Sequence, residues 1–170
     1  MAAERLSVRQ RDAAPSMASN LLIAKETELP AGLEQLVQAS LAEGFQFVQV
    51  LRDQWSSGVN RFTKPGEAFF VAHYRDSLAG VCGLNCDPHS ADPAVGRLRR
   101  LFVSKPFRKQ GIGRALVLHT LSSAREHFSL VRARTDTPEA GLFLRALGFS
   151  PVLSPLDATH ELRIPRSPAA

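Results

Sequence analysis

Two periods of hydrophobic and polar residues run through the chain, and each change of period marks the end of a predicted element. Apolar residues recur at helical spacing in residues 30–42, 45–55, 114–127 and 137–147, which predicts four helices. Runs rich in β-branched and aromatic residues between these stretches predict strands, and a tight turn at residues 75–77 joins two of them in a hairpin. The predicted strands are residues 21–24, 68–74, 78–84, 97–103, 130–134, 152–153 and 159–164.

The order of these elements, β-α-α-β-β-β-α-β-α-β-β, predicts a single α/β domain over residues 21–164. The 170 residues contain no internal repeat and no linker, and their number suits one domain. Residues 1–20 show neither period and lack the apolar stretch of a secretory signal, so we predict a disordered arm there. Residues 165–170 are rich in proline and alanine, and we predict that this tail frays.

Composition excludes several classes of protein. No apolar run approaches the roughly 18–20 residues of a membrane span, so we predict no membrane partner. The two cysteines, Cys82 and Cys86, are too few for a disulfide framework, and reduced cysteines favour a cytoplasmic protein. With His89 they form a C-x₃-C-x₂-H pattern that matches no usual zinc spacing, and we therefore predict no metal.

The basic residues are unevenly distributed along the chain. The formal net charge is +5, yet residues 97–114 hold seven basic residues and no acidic one, so the remainder is net negative. Such a concentration indicates a local anion site, whereas a nucleic-acid surface spreads basic side chains over a whole face. We therefore predict no nucleic-acid partner; a solvated charged strand and loop is the alternative for this stretch.

Glycines at the end of the basic stretch indicate which anion would bind. In the segment LRRLFVSKPFRKQGIGR, residues 98–114, a strand ends, a loop turns, and Gly111 and Gly113 stand where a helix begins. The free N–H groups and the dipole of a helix start attract an anion, and a residue without Cβ lets a phosphate approach the backbone. Because Arg108, Lys109 and Arg114 add positive charge, we predict a pyrophosphate site.

Two common nucleotide motifs do not fit this segment. A P-loop needs Lys and then Ser or Thr after its second glycine, but Arg114 and Ala115 follow Gly113. A dinucleotide fingerprint needs a small residue where Leu116 stands, and its turn after the strand is tighter than the loop found here. Both nucleotide classes are therefore excluded.

The segment does resemble the signature of another family. Residues 108–113, RKQGIG, match Arg/Gln-x-x-Gly-x-Gly/Ala, the pyrophosphate motif of the GNAT N-acetyltransferase superfamily. Residues 101–107 resemble that family's fourth strand and following loop, and residues 137–149 resemble its fourth helix and closing Leu-Gly-Phe. The resemblance implies a single GNAT domain of the α/β class, with a mixed, mostly antiparallel sheet, splayed parallel strands 4 and 5, and about four helices.

The same resemblance implies an N-acetyltransferase that moves acetyl directly from acetyl-CoA to an amine of a small metabolite or amino-acid-like acceptor, without a metal. Backbone groups of residues 101–103 would bind pantetheine, and N–H groups of residues 109–114 would bind pyrophosphate. A homodimer is left open. The cofactor-binding residues so implied are Leu101, Phe102, Val103, Arg108, Lys109, Gln110, Gly111, Ile112, Gly113, Arg114 and Thr137.

Leu144 departs from the family pattern. Members commonly carry Tyr at this position as general acid for the leaving thiolate, and the one tyrosine of the chain is Tyr74. A thiol with a pKa near 8.5 leaves tolerably as thiolate, and general-acid help is worth roughly 10²–10⁴-fold, so its loss slows the reaction without forbidding it. Candidates for a stand-in donor are a bound water, Tyr74 and His73. The alternative function is a CoA-binding module or regulator with weak or lost catalysis.

Three residues are candidates for the general base, because the strand that often supplies a Glu in the family carries only arginines here. Glu67, at the start of the hairpin, comes first, followed by His73 and Asp136. Each has a structural alternative: a turn cap for Glu67, a hydrogen-bonded place in the sheet for His73, and a helix cap for Asp136, as in a capping box with Glu139.

Side chains at or just after the end of the second predicted helix could shape an acceptor pocket. They are Trp55, Asn60, Arg61 and Phe62, and core packing is the alternative for the two aromatic residues.

Overall fold

The computed structural model of the chain describes residues 20–153 and 157–165. Apart from Asn20 and Pro165, the predicted N-terminal arm and C-terminal tail lie outside the described residues. The strands are β1 (Leu21–Lys25), β2 (Ala68–Tyr74), β3 (Ser77–Cys86), β4 (Val95–Val103), β5 (Leu130–Ala133), β6 (Ser150–Pro151) and β7 (His160–Arg163). The helices are α1 (Leu33–Ala42), α2 (Phe47–Ser57), α3 (Ile112–Ala124) and α4 (Pro138–Ala146), with a 3₁₀ turn at Lys105–Phe107.

The seven strands form one mixed sheet in the order β1-β2-β3-β4-β5-β7-β6. β4 and β5 are parallel, because α3 carries the chain from the end of one back to the start of the other, and every other neighbouring pair is antiparallel. The element order, the single α/β domain and the parallel fourth and fifth strands are confirmed. The strand predicted at residues 152–153 is wrong, since Ser150–Pro151 pairs with β7 instead.

Two hydrophobic clusters lie on opposite faces of the sheet, because side chains alternate along each strand. One cluster packs under α3 and α4, and the other packs under α1 and α2. In the second cluster the ring of Phe69 is fully buried, 5.3 Å from the ring of Trp55 and 5.4 Å from that of Phe62. Burying such a side chain contributes about 1.5–3 kcal/mol. Trp55 and Phe62 are therefore core residues, which was the alternative to a pocket role.

Left-handed glycines decide where two helices begin. Gly32 has a φ of 87°, which an α-helix cannot continue, so α1 begins at Leu33 rather than at residue 30. Gly111 has a φ of 82°, and α3 begins directly after it at Ile112, two residues before the predicted start. The other element ends differ from their predictions by up to three residues.

Candidate functional site

β4 continues beyond the end of β5 and leaves part of its own edge without a partner strand. The last parallel pair joins Leu98 to Ala133, where β5 ends, whereas β4 runs on to Val103. We call residues 99–103 on this side the open edge. It is the splayed gap that the resemblance predicts between the fourth and fifth strands.

Only some backbone groups of β4 point into this gap. The N–H of Ser104 donates to the carbonyl of Ala79 in β3, and Phe102, two positions earlier, lies opposite β3 in the same antiparallel ladder. Because backbone groups alternate in direction along a strand, those of Phe102 also point to β3, and those of Leu101 and Val103 point to the open edge. The predicted pantetheine contact is therefore corrected for Phe102, whose ring is buried under α1 and α2.

Residues 104–111, which we call the glycine loop, lead from the open edge to the start of α3. Lys109 and Gly111 both have positive φ, at 59° and 82°. Within the described residues, the N–H groups of residues 109–111 donate no backbone hydrogen bond, and those of residues 112–114 precede the first bond of the helix, from Ala115 to Gly111. The side chains of Lys109 and Arg114 are exposed beside them. Six N–H groups at the positive end of a helix dipole suit a pyrophosphate.

The two glycines of the motif have different surroundings. A Cβ on Gly111 would meet nothing within 4 Å, so there is open space where a phosphate would approach. A Cβ on Gly113 would lie 3.6 Å from the ring of Phe143 and 3.7 Å from Val103, which are ordinary contact distances. Gly113 thus faces the packing between α3 and α4. The open space at Gly111 gives a phosphate room there, and the contact of Gly113 with a phosphate stays a prediction.

Arg108 holds the glycine loop in place. Its guanidinium donates to both carboxylate oxygens of Glu43 at 2.7 Å, and its Nε donates to the Val103 carbonyl at 2.7 Å. Hydrogen bonding by Arg108 holds the pKa of the Glu43 carboxyl below its usual range. The expectation that Arg108 adds charge around the anion is corrected, because its charge is paired with Glu43. Gln110 also stays within the loop and donates to the Pro106 carbonyl at 3.2 Å.

Thr137 is the N-cap of α4. Its Oγ1 accepts the N–H of Ala140 at 3.3 Å, as expected of a threonine just before a helix. The predicted cap at Asp136 is therefore wrong by one residue; Asp136 is exposed, and its carboxylate lies 3.7 Å from the guanidinium of Arg134. The cofactor contact implied for Thr137 stays a prediction.

A second feature lies on the α2 side of the sheet, where a pocket of about 280 Å³ opens between the end of α2, the start of β2, the end of β3 and the middle of β4. Arg61, Lys64 and Arg99 line it, together with the carboxylate of Glu67. We call it the basic pocket. The concentration of basic residues at 97–114 is therefore divided between two places, and Arg99 belongs to the basic pocket rather than to the glycine loop.

Two asparagines on distant parts of the chain form one wall of the basic pocket. Asn60 and Asn85 exchange two side-chain hydrogen bonds of 3.0 Å. Asn60 and Arg61 were predicted near an acceptor pocket, but Asn85 and Arg99 were missed there. They lie on strands β3 and β4, far along the chain from residues 60 and 61, and no local pattern connects them.

A β-bulge in β4 shapes the base of this pocket. Gly83 of β3 lies opposite Arg99, and Val81 lies opposite Phe102, so β4 has one more residue than β3 between these two pairs. Arg100 stands at the extra position, with a φ of 59°. A positive φ at an arginine is uncommon and is held here by the surrounding ladder.

The bulge turns two consecutive arginines to the same face of the sheet. Leu98 and Leu101 both pack into the cluster under α3, while Arg99 lines the basic pocket and Arg100 donates to Oε1 of Gln54 in α2 at 3.4 Å. Burial, together with the neighbouring charge of Arg99, lowers the pKa of Arg100 to about 10. Burial also lowers the pKa of Arg99, with Arg97 adding to the effect. Positive charge is thus concentrated next to the open edge.

The two leading base candidates stand at opposite ends of β2. Glu67 is at the wall of the basic pocket, where its Oε1 accepts the N–H of Cys86 and its Oε2 accepts the N–H of Lys64, both at 3.1 Å. These bonds are the turn cap that was its structural alternative. His73 lies six residues further on, about 20 Å along a strand, and does not line the pocket.

The position of the family tyrosine is filled by an aliphatic core residue. Leu144 is 5% exposed and belongs to the cluster under α3 and α4. Tyr74 ends β2, with its ring centroid 5.8 Å from that of Phe107.

Neither cysteine takes part in a cluster with metal-binding character. Cys82 is buried, which raises the pKa of its thiol to about 12, and Cys86 lines the basic pocket as a free thiol. No group of three or more His, Cys, Asp or Glu side chains in the described ranges is placed to hold a metal ion. A helix long and apolar enough to cross a membrane is likewise absent from the residues that the structure describes.

Comparison with known sequences connects this geometry to a family. The profile of the acetyltransferase (GNAT) family matches residues 32–149, which run from the start of α1 to the residue after α4 and its C-terminal turn. No curated protein matches the chain.

Solved structures share the fold. A protein of Exiguobacterium sp. 255-15 assigned as an acetyltransferase is 27% identical with a TM-score of 0.73, over 84% of this chain and 93% of that one. The GNAT family N-acetyltransferase YhbS of Escherichia coli, solved in complex with CoA, is 20% identical with a TM-score of 0.65, over 90% of this chain and 85% of that one. Ard1 of Thermoplasma volcanium is 21% identical with a TM-score of 0.61, over 84% of this chain and 93% of that one.

Proposed function

Because this chain belongs to the acetyltransferase (GNAT) family, we propose that it transfers the acetyl group of acetyl-CoA directly to an amine of a small metabolite or amino-acid-like acceptor. The observation that carries the proposal is the continuity of the open edge with the glycine loop. Val103 ends the open edge, and its carbonyl accepts the hydrogen bond from Arg108 of the loop. A strand-like pantetheine arm and the pyrophosphate that follows it would therefore find their partners in sequence.

The residues present fit such a ligand. Backbone groups of Leu101 and Val103 on the open edge would pair with the amides of pantetheine, as a neighbouring strand would. The N–H groups of residues 109–114 would bind the pyrophosphate, and the open space at Gly111 gives it room. When bound, acetyl-CoA supplies the acetyl group as a thioester.

Two groups of the chain would assist the transfer. An amine attacks only after losing its proton, and Glu67 at the wall of the basic pocket would accept that proton, directly or through a water. Its two backbone hydrogen bonds hold it in position and leave lone pairs of the carboxylate for this role. The N–H of Leu101, at the part of the open edge further from the glycine loop, would stabilise the negative charge that develops on the thioester oxygen, and the N–H of Val103 would be left for pantetheine.

A second candidate function follows from Leu144. With an aliphatic side chain buried at the position of the family's acid, the chain would serve as a CoA-binding module or regulator with weak or lost catalysis. The lost acid is worth roughly 10²–10⁴-fold, which a thiolate leaving group tolerates, so we favour the enzyme.

The test is an acetyl-transfer assay. The purified chain is incubated with acetyl-CoA and a panel of small amines, free CoA thiol is titrated, and each mixture is searched for the acetylated amine by mass spectrometry. The proposal expects equal amounts of thiol and acetylated amine with at least one acceptor. Tight binding of acetyl-CoA without any acetylated amine favours the regulator, and absence of binding refutes both functions.

We propose neither a nucleic-acid partner nor an extracellular location. The basic stretch does not form one exposed surface, since Arg97 pairs with the buried Asp87 at 3.3 Å and Arg108 pairs with Glu43. Two free cysteines suit the cytoplasm.

A further inference from the structure

The basic pocket carries more positive charge than its surroundings balance. Arg61, Lys64 and Arg99 line it, against the single carboxylate of Glu67. Glu67 already accepts two backbone N–H groups, and none of the three cations forms an ion pair with any residue that the structure describes. The pocket therefore has cationic groups available for a ligand.

The other carboxylate near the basic pocket, that of Asp87, is already paired with arginines. Asp87 is buried and lies 3.3 Å from the guanidinium of Arg97 and 3.5 Å from that of Arg132. It acts on Arg99 only at longer range. The charge of Arg99 is thus left for the pocket.

A strained backbone conformation at Arg100, with positive φ, brings these charges together. Without the bulge, Arg100 would point to the α3 face, and only Arg99 would point to the α2 face. Instead both arginines are half-buried on the α2 face, where Arg100 immediately precedes Leu101 and Arg99 stands two residues before it. The Nε of Arg100 is buried and has no hydrogen-bond partner among the described residues. Two guanidiniums that form no ion pair with any described residue, both close to Leu101, favour an anion nearby.

Resting on the proposed function, we propose that the basic pocket binds an anionic group of the acceptor, a carboxylate or a phosphate, with Arg99 as the main contact and Arg61 and Lys64 beside it. A planar guanidinium matches either group with two parallel hydrogen bonds. The anion in the pocket would leave the acceptor's amine toward Leu101 and the open edge. Acceptors of this kind are amino acids and amino phosphates rather than polyamines or basic peptides.

Cys86 provides a test of the charge that does not depend on catalysis. It lines the basic pocket, while Cys82 is buried, so thiol reagents report on Cys86. The test measures how fast Cys86 reacts with two methanethiosulfonates, the anionic sulfonatoethyl reagent and the cationic trimethylammonioethyl reagent. Each rate is divided by the rate at which the same reagent reacts with a free small thiol. Both reagents attack the same thiolate, so its raised pKa cancels in the ratio. Glu67 is the largest charge acting on this thiol and Lys64 opposes it. Because Arg61 and Arg99 add to the positive charge of Lys64, we expect the anionic reagent to be favoured severalfold.

Variants connect that ratio to Arg99. Arg99→Gln should lower the preference for the anionic reagent severalfold, and Arg145→Gln, an exposed arginine of α4, should leave it in place. Circular dichroism checks that both variants fold, and Cys86→Ser should abolish the reaction. A ratio near one in the unmodified chain, or a preference for the cationic reagent, overturns the proposal.

Pairs of amines that differ only in one anionic group show whether the basic pocket binds a carboxylate or a phosphate. β-Alanine is compared with β-alaninamide, and O-phosphoethanolamine with ethanolamine, in the acetyl-transfer assay. We expect kcat/KM to be at least tenfold higher for the charged member of one pair, and Arg99→Gln to narrow that difference through KM. If transfer occurs with no preference in either pair, the acceptor proposal fails and the proposed function stands. If no amine is acetylated while Cys86 keeps its preference, the proposed function fails and the anion pocket stands.

Discussion

The guanidinium of Arg108 meets both carboxylate oxygens of Glu43 at 2.7 Å, across a separation of 65 residues in the chain. This contact fastens the glycine loop to the C-terminal end of α1. The Glu43 side chain is 14% exposed and that of Arg108 is 36% exposed, so the pair is only partly screened by solvent. The loop that would bind pyrophosphate is thus positioned by a residue from the other half of the domain.

Glu43→Gln should lower the free energy of unfolding by about 1–2 kcal/mol at pH 7, since a charge-assisted pair is lost and solvent screening limits its value. Arg108 holds the pKa of Glu43 below its unfolded value of about 4.3. The contribution is therefore complete above that pH and is lost as the pH falls through the lower pKa of the folded state.

Urea unfolding at pH 7, 5 and 3.5 measures this difference. It should be constant between pH 7 and 5 and should shrink at 3.5. Glu34→Gln is the matched control, because Glu34 pairs with Arg52 at 2.7 Å on the exposed surface and should matter less. A difference between Glu43→Gln and the unmodified chain that does not change with pH would show that the carboxylate is not what stabilises this contact.

Gly83→Ala should destabilise the domain by about 1–3 kcal/mol, as overpacking does. A Cβ at Gly83 would lie 2.4 Å from the ring of Phe62, which is stacked on Phe69 and cannot withdraw easily. Gly113→Ala, whose Cβ would meet the ring of Phe143 at 3.6 Å, should change stability little. Thermal unfolding of the two variants compares them, and equal midpoints would contradict the described packing of Phe62.

If Glu67 accepts the proton of the amine, Glu67→Gln should reduce kcat by about 10²-fold or more and should leave the affinity for acetyl-CoA unchanged. The matched control is His73→Gln at the other end of β2, which should keep most of the activity. Steady-state rates at pH 7 with saturating acetyl-CoA measure the effect. Equal kcat in Glu67→Gln and in the unmodified chain would show that Glu67 does not accept the proton.

Leu144→Tyr should raise kcat relative to Leu144→Phe, which adds similar bulk without a hydroxyl. If the tyrosine hydroxyl faces the leaving thiolate, the gain should be about tenfold or more, with little change in acetyl-CoA affinity. Both variants should lose about 1–3 kcal/mol of stability, because Leu144 is buried in the core. Folded proteins of equal kcat would show that this position is not a missing acid.

Local patterns along the chain predict the fold well and the site only in part. Hydrophobic periods predict the element order, and the glycines of the motif predict the start of α3 to within two residues; the parallel pair β4 and β5 is what the family resemblance implies. These features depend on residues close together in sequence. Gly111 could be identified because a left-handed residue before a helix has a local signature.

Features that depend on distant residues escaped prediction. Arg108 was expected to face the anion, and nothing near it in sequence reveals Glu43 as its partner. An ordinary strand would place Arg99 and Arg100 on opposite faces, and the bulge that brings them to one face has no signal in a run of arginines and leucines. The basic pocket is lined by three separate stretches, residues 54–67, residues 85–88 and Arg99, so its composition can be recognised only in the folded chain.

The most direct test of the account is calorimetric titration of acetyl-CoA into the chain and into Gly111→Val. Gly111 has a φ of 82°, where a β-branched residue is strained by about 1–3 kcal/mol, and its Cβ would enter the space left for the pyrophosphate. We predict that Gly111→Val binds acetyl-CoA at least tenfold more weakly, while Gly113→Ala stays near the unmodified chain and Arg108→Ala lies between them. Unchanged affinity in Gly111→Val, with the fold intact by circular dichroism, would contradict the assignment of the glycine loop as the pyrophosphate site.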